Sequence, residues 1–242
     1  MRLDKIMNYF ALRKLPLRQR PLHCSLVWRD TFLVIAILLA LAPTGYAQMS
    51  AKKYQVRHSD SWLLAITGKT GVFSFAAHKH AVLASRWSAD VSADRNDPQK
   101  SKATIKIPVS SLVIDSQEAR QKAGLGAGPG AKDVHTIQER MLSPEVLDAR
   151  RYPEIQFTTT SVEKTNDGQL RITGRFQMHG HSKTLSIPVQ YEQNESGSAR
   201  VHGEFTIKQT DFGLTPQSVA GGTVKVTDEV TIRFQVSIVP AS

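Results

Sequence analysis

The chain has 242 residues, 40% of them apolar, 7% aromatic and 21% charged, with a single cysteine. That balance excludes a collagen, a coiled coil, an intrinsically disordered chain and a multi-span helical membrane protein, and a chain of this size needs no disulfide or metal to hold a core. The 31 Lys+Arg against 21 Asp+Glu give a net charge of +10, which points to nucleic acid or an anionic surface only if the charge is gathered in one place.

It is not gathered. Residues 1–47 read as a secretory signal. Arg2, Lys5, Arg13, Lys14, Arg18, Arg20 and Arg29 form a basic region, Thr31 to Ala42 an apolar run, and Gly45-Tyr46-Ala47 a small-x-small ending. The run is short for a spanning helix, which needs about 20 apolar residues. A cut after Ala47 leaves Gln48 first; the alternative is an uncleaved signal anchor, because the basic region is long for a signal. Cys24 precedes the apolar run, so it is misplaced for a lipid anchor and leaves with the leader. The leader holds 7 basic and 2 acidic side chains, which leaves 24 and 19 over residues 48–242. This net +5 is scattered, the pattern of a solvated surface rather than a phosphate-binding stripe, so nucleic acid is not an expected partner.

Period-2 alternation then recurs to the end of the chain. Trp62, Leu64 and Ile66 alternate with Leu63, Ala65 and Thr67; Phe73 and Phe75 with Val72 and Ser74; Trp87, Ala89 and Val91 with Ser88 and Asp90; Ala103, Ile105 and Ile107 with Thr104 and Lys106. Further on come Leu170, Ile172, Phe176 and Met178, then Leu185, Ile187, Val189 and Tyr191, then Val201, Phe205 and Ile207. In the last strand Val230, Ile232, Phe234, Val236 and Ile238 share one face. Turn signals at Asn96-Asp97-Pro98, Asn166-Asp167-Gly168, Asn194–Ser198 and Gly221-Gly222 separate the runs, and Asn166-Asp167-Gly168 reads as a hairpin. The pattern predicts an all-β domain over 48–242, an antiparallel barrel or sandwich of about eight strands.

Residues 116–150 break the alternation. Val134, Ile137, Met141 and Leu142 have helical spacing, and Ser143-Pro144-Glu145 reads as an N-cap with proline after it. Gly124–Gly130 lacks the lysine and hydroxyl of a phosphate-binding loop and reads as a flexible surface loop. Alternation alone does not say which face points inward. A membrane barrel would carry aromatic girdles, and these aromatics are not ordered in belts, so a water-soluble barrel with an apolar interior is the expectation.

Two histidine pairs have His-x-His spacing, His78/His80 and His179/His181. On a strand, residues i and i+2 point the same way, so each pair has chelating geometry, and four imidazoles would meet if the two strands were neighbours. The bland alternative puts His179 on the polar face of its strand with a hydrogen-bonded neighbour. No metal or other cofactor is expected, with His78, His80, His179 and His181 as the alternative metal set. HExxH, GxSxG and a mature cysteine are all missing, so no catalytic constellation is read.

Four stretches resemble the YceI-like family: Thr67–Val82 leading to Trp87; Ile107–Ser116 followed by Asp133–Val162, with its Tyr-Pro-x-Ile-x-Phe strand; Ile172–Tyr191, where Gly174, Gly180, Ser182 and Lys183 match the pattern; and Thr210–Val236, with Asp-Phe-Gly and the last strand. The resemblance spans residues 54–238. It implies a lipocalin-like barrel with a short helical insertion, in a periplasmic or secreted protein that is not an enzyme. It also implies a polyisoprenoid or other amphipathic lipid as the bound partner, with the membrane only as a lipid source or an attachment through an uncleaved leader. The Gly124–Gly130 insertion departs from the family. Phe73, Phe75, Trp87, Val91, Phe157, Phe176 and Phe234 are expected to line the cavity, with His78 near its mouth facing a head group. The competing readings are a histidine-dependent metal-binding protein and a packed barrel acting as an interaction module.

Overall fold

The computed structural model describes residues 51–70, 78–219 and 224–241. The expected leader, Phe73, Phe75 and the Gly221-Gly222 turn lie outside the described residues. The strands are β1 (Lys52–Val56), β2 (Trp62–Thr70), β3 (His80–Ala84), β4 (Ser88–Ala93), β5 (Lys102–Pro108) and β6 (Leu112–Ile114). Two helices follow, α1 (Gln117–Ala123) and α2 (Ala131–Leu142). Then come β7 (Glu154–Lys164), β8 (Leu170–Met178), β9 (His181–Gln193), β10 (Ala199–Lys208), β11 (Ser218–Val219) and β12 (Val224–Pro240).

Every pairing is antiparallel, in the order β1-β4-β5-β7-β8-β9-β10-β12, and β12 returns to β1 through Tyr54 opposite Pro240. Eight strands therefore close a barrel, which abolishes the exposed edges of an open sheet. β12 is long enough to serve two neighbours on one side: Val230–Gln235 pair with β2 and Ile238–Pro240 with β1. β3 and β6 extend the sheet beyond β2. The Asn166-Asp167-Gly168 turn joins β7 to β8, with Gly168 at φ 81°.

The alternation carries a single apolar face into the barrel along most strands. β2 differs, because both of its faces are covered. Leu63 and Ala65 belong to the barrel interior, whereas Leu64 packs with Ala81, Leu83, Ala119 and Ala123 beneath α1. α1 is capped by Ser116, whose hydroxyl accepts the Ala119 N–H at 3.1 Å, and it ends at Gly124 in the left-handed region. α2 presents Val134, Ile137, Met141 and Leu142, the residues with helical spacing, to the main core.

Two inward glycines receive aromatic rings from neighbouring strands. A Cβ on Gly174 of β8 would lie 2.6 Å from Phe157 Cε2 and 2.7 Å from the Thr158 carbonyl oxygen. One on Gly203 of β10 would lie 2.9 Å from Cζ of Phe234, its register partner on β12. Each ring fills the gap that a missing side chain leaves in the wall, so Phe157 and Phe234 lie along the wall instead of across the barrel.

Candidate functional site

The barrel interior holds two apolar chambers. The smaller, of about 240 Å³, is bounded by β4, β5 and β7–β10 with the end of β12; its wall includes Val91, Phe157, Ile172, Val189, Phe205 and Phe234. The larger, of about 640 Å³, lies toward β2, β3, β6 and α2, with Val82, Ile114, Ile137, Met141, Met178 and Val230 among its lining residues. Leu63, Ile107, Phe176 and Ile232 line both. The four shared side chains form a waist between the chambers, and the Phe176 ring, edge-on to Phe212 at 5.3 Å, is the bulkiest of them.

Polar side chains line both chambers, with Asp94, Arg95, Ser101, Lys102, Thr159 and Gln193 in the wall of the smaller and a second set in that of the larger. Thr67, His78, His80, Asp133, Arg140 and Gln209 are in the wall of the larger chamber. Gly128, Pro129 and Gly130 are there too, so the glycine-rich segment forms part of the cavity. Gly126, Ala127 and Gly130 are exposed, as expected of a surface loop. Arg120 ties it down, donating from Nε to the Gly126 carbonyl at 2.8 Å and from Nη2 to that of Ala127 at 3.1 Å. The same guanidinium donates from Nη1 to the Lys79 carbonyl at 3.1 Å and to Asp115 at 2.7 Å.

Asp115 is the centre of this arrangement. Its side chain is wholly shielded from solvent, and its carboxylate accepts from His80 Nδ1 at 2.6 Å and from the Ala81 N–H at 3.0 Å, besides Arg120. Burial pushes the carboxyl up, but the bonds from His80, Ala81 and Arg120 outweigh it and hold the group below the usual carboxylate range. Its φ of 51° places it in the left-handed region, a conformation that aspartate tolerates better than most residues. Sequence reasoning gave Asp115 no role, and no local signal marks it. The β2–β3–β6 pairing brings it to His80 across 35 positions of chain.

Of the residues expected to line the cavity, Val91, Phe157 and Phe234 are in the wall of the smaller chamber, Phe176 is at the waist, and His78 is in the wall of the larger chamber. Trp87 is elsewhere. It precedes β4, is buried in the core and meets the His58 ring edge-on at 4.8 Å, outside both chamber walls.

The four-imidazole arrangement does not form. β3 lies between β2 and β6, away from β8 and β9. His179 and His181 do not share a strand face either. His179 (φ 51°) and Gly180 (φ 76°) are the two central residues of the tight β8–β9 turn, the positive-φ pair that a type I′ hairpin requires. His179 Nδ1 donates to the Phe212 carbonyl at 3.1 Å, and its ring packs on Tyr152 at 4.3 Å. Among the described residues no group of three or more metal-ligating side chains converges.

Comparison with known proteins places this barrel. The family model for the YceI-like domain matches residues 53–238. A UPF0312 protein of Pseudomonas savastanoi pv. phaseolicola is 26% identical over 133 residues, which covers 53% of this chain and 60% of that protein, so the match spans less than two thirds of that relative's length. A UPF0312 protein of Pseudomonas putida is 24% identical over 196 residues, or 77% of this chain and 88% of the relative. In fold the chain is similar to BcnA of Burkholderia cenocepacia, with a TM-score of 0.58, 20% identity, and coverage of 76% of this chain and 99% of that one. It is also similar to a polyisoprenoid binding domain from Saccharophagus degradans implicated in plant cell wall breakdown, with a TM-score of 0.51, 11% identity, and coverage of 79% and 99%. With the closed eight-stranded barrel and a family match over most of its length, the chain belongs to the YceI-like family.

Proposed function

We propose that the protein is an exported, non-enzymatic carrier that holds a polyisoprenoid or similar amphipathic lipid inside the barrel. The observation that carries this reading is the interior itself, two apolar chambers of about 240 and 640 Å³ with a waist of Leu63, Ile107, Phe176 and Ile232 between them. Each methylene moved from water into such a space gains about 0.8 kcal/mol, so a flexible hydrocarbon tail provides most of the affinity and a polar end stays near the polar part of the wall. The fold neighbour described as polyisoprenoid binding supports the ligand class. The basic, apolar and small-residue order of residues 1–47 supports export to the periplasm or beyond.

Native mass spectrometry of the protein purified from its own compartment tests the reading. An adduct that extracts into organic solvent and fragments as a prenyl or acyl chain is expected. A homogeneous apo mass, together with no uptake of added geranylgeraniol, overturns it. Amino-terminal sequencing of the same sample is expected to begin at Gln48.

A further inference from the structure

His80 differs from the other polar groups of the larger chamber because one of its ring nitrogens is committed and the other is not. Nδ1 is 2.6 Å from Asp115, a carboxylate fully shielded from solvent. That carboxylate also receives the Ala81 N–H and Arg120 Nη1, and its lowered pKa keeps it ionised, with only acceptor oxygens to offer. The hydrogen of the His80–Asp115 bond therefore sits on Nδ1. In the neutral imidazole this leaves Nε2 with a lone pair, an acceptor without a protein donor among the described residues, on a side chain that lines the chamber and is 20% exposed.

Among the described residues Arg140 is the only arginine or lysine in this wall, and Arg120, outside it, is engaged. Arg120 donates to Asp115 and to the carbonyls of Lys79, Gly126 and Ala127. Arg140 lies 3.5 Å from Glu145, and Asp133 adds a negative charge to the same lining. A phosphate or carboxylate head would find the Asp133 carboxylate and a single guanidinium, already paired with Glu145, here. A hydroxyl would find an oriented acceptor.

Building on the carrier reading, we propose that His80 is the head-group contact and that the ligand's polar end is a hydroxyl, whose O–H donates to Nε2. The ligand class is then a long-chain alcohol, with Asp115 as the positioning residue that fixes the tautomer.

Geranylgeraniol, its methyl ether and geranylgeranyl phosphate, competed against a fluorescent fatty probe on the full chain, test this. One net hydrogen bond is about 1 kcal/mol, so the alcohol is expected to bind roughly fivefold tighter than the ether. The ratio is expected to fall to about one in His80→Phe and to be partly restored in His80→Gln, whose amide oxygen also accepts. The imidazole ¹⁵N spectrum of the unmutated protein gives the same answer without a variant: the Nε2 resonance is expected to move with the alcohol and not with the ether. Equal binding of alcohol and ether, tightest binding of the phosphate, or an unmoved Nε2 resonance overturns the head-group assignment and leaves the carrier reading standing. If none of the three lipids binds, the carrier reading itself falls.

Discussion

The side-chain oxygen of Gln138, on α2, accepts the N–H of Ile114, on the outermost strand of the sheet, at 2.8 Å. The same amide donates from Nε2 to the Leu112 carbonyl, also at 2.8 Å. One side chain thus stands in for a neighbouring strand along the β6 edge and holds α2 against the larger chamber. Gln138→Ala leaves two partly buried backbone groups without partners, and we expect a loss of about 1–3 kcal/mol in urea unfolding. Hydrogen exchange at the Ile114 amide is expected to accelerate in the variant, while β7–β10 amides keep their protection. Unchanged exchange at Ile114 would show that the edge is held by other means.

Gly174→Ala is expected to destabilise the barrel by about 1–3 kcal/mol, because the new methyl meets the Phe157 ring and the Thr158 carbonyl oxygen. Adding Phe157→Leu removes the ring contact but not the carbonyl contact, so the double variant should recover part of the loss. A double-mutant cycle by chemical denaturation measures the coupling. Strict additivity would place the strain in the backbone contact alone.

The Asp115 network makes stability pH-dependent in a defined direction. The folded-state pKa lies below the ordinary carboxylate value of 3.8, so the contribution is fully present above that value and is lost as pH falls through the folded value. Urea midpoints measured from about pH 5 downward should fall more steeply for the unmutated chain than for Asp115→Asn. The variant itself should be less stable near neutrality by roughly 3 kcal/mol, since Arg120 and His80 lose their charged partner. Parallel acid profiles for the two proteins would exclude Asp115 as the responsible group.

Much of this architecture is legible in the sequence. The faces of β8, β10 and β12 follow from alternation because the inner face is dry and the outer face wet, and α2 follows from the spacing of Val134, Ile137 and Met141. β2 shows where the signal ends: with Leu64 under α1 and Leu63 in the cavity, both faces are apolar, and period 2 cannot say which is inside. The His179/His181 expectation fails because a turn residue and the first residue of the strand after it share the spacing of two residues on one strand. His80–Asp115 and Gln138–Ile114 are products of long-range pairing, and neither residue carries a local pattern that announces its partner.

On the carrier reading, the waist between the chambers limits ligand length. Ala89 and Ala103 are in the smaller chamber's wall, and Ala89→Phe fills space beyond the waist while leaving the larger chamber and His80 untouched. We expect the preference in a competition series of C10, C15, C20 and C40 prenyl alcohols to shift toward shorter chains, with affinity for the shortest member unchanged. An unaltered preference would mean that the tail does not pass Phe176.

The seam between β1 and β12 governs when the protein can enclose anything. Tyr54 and Pro240 meet only after nearly the whole domain has been made, so an unfinished chain lacks the closing pair of the barrel. Pairing between strands so distant in sequence is slow to form, and on the carrier reading an unclosed wall would admit a hydrophobic cargo more readily than a closed one. A lipid supplied during refolding should be taken up faster than one supplied afterwards.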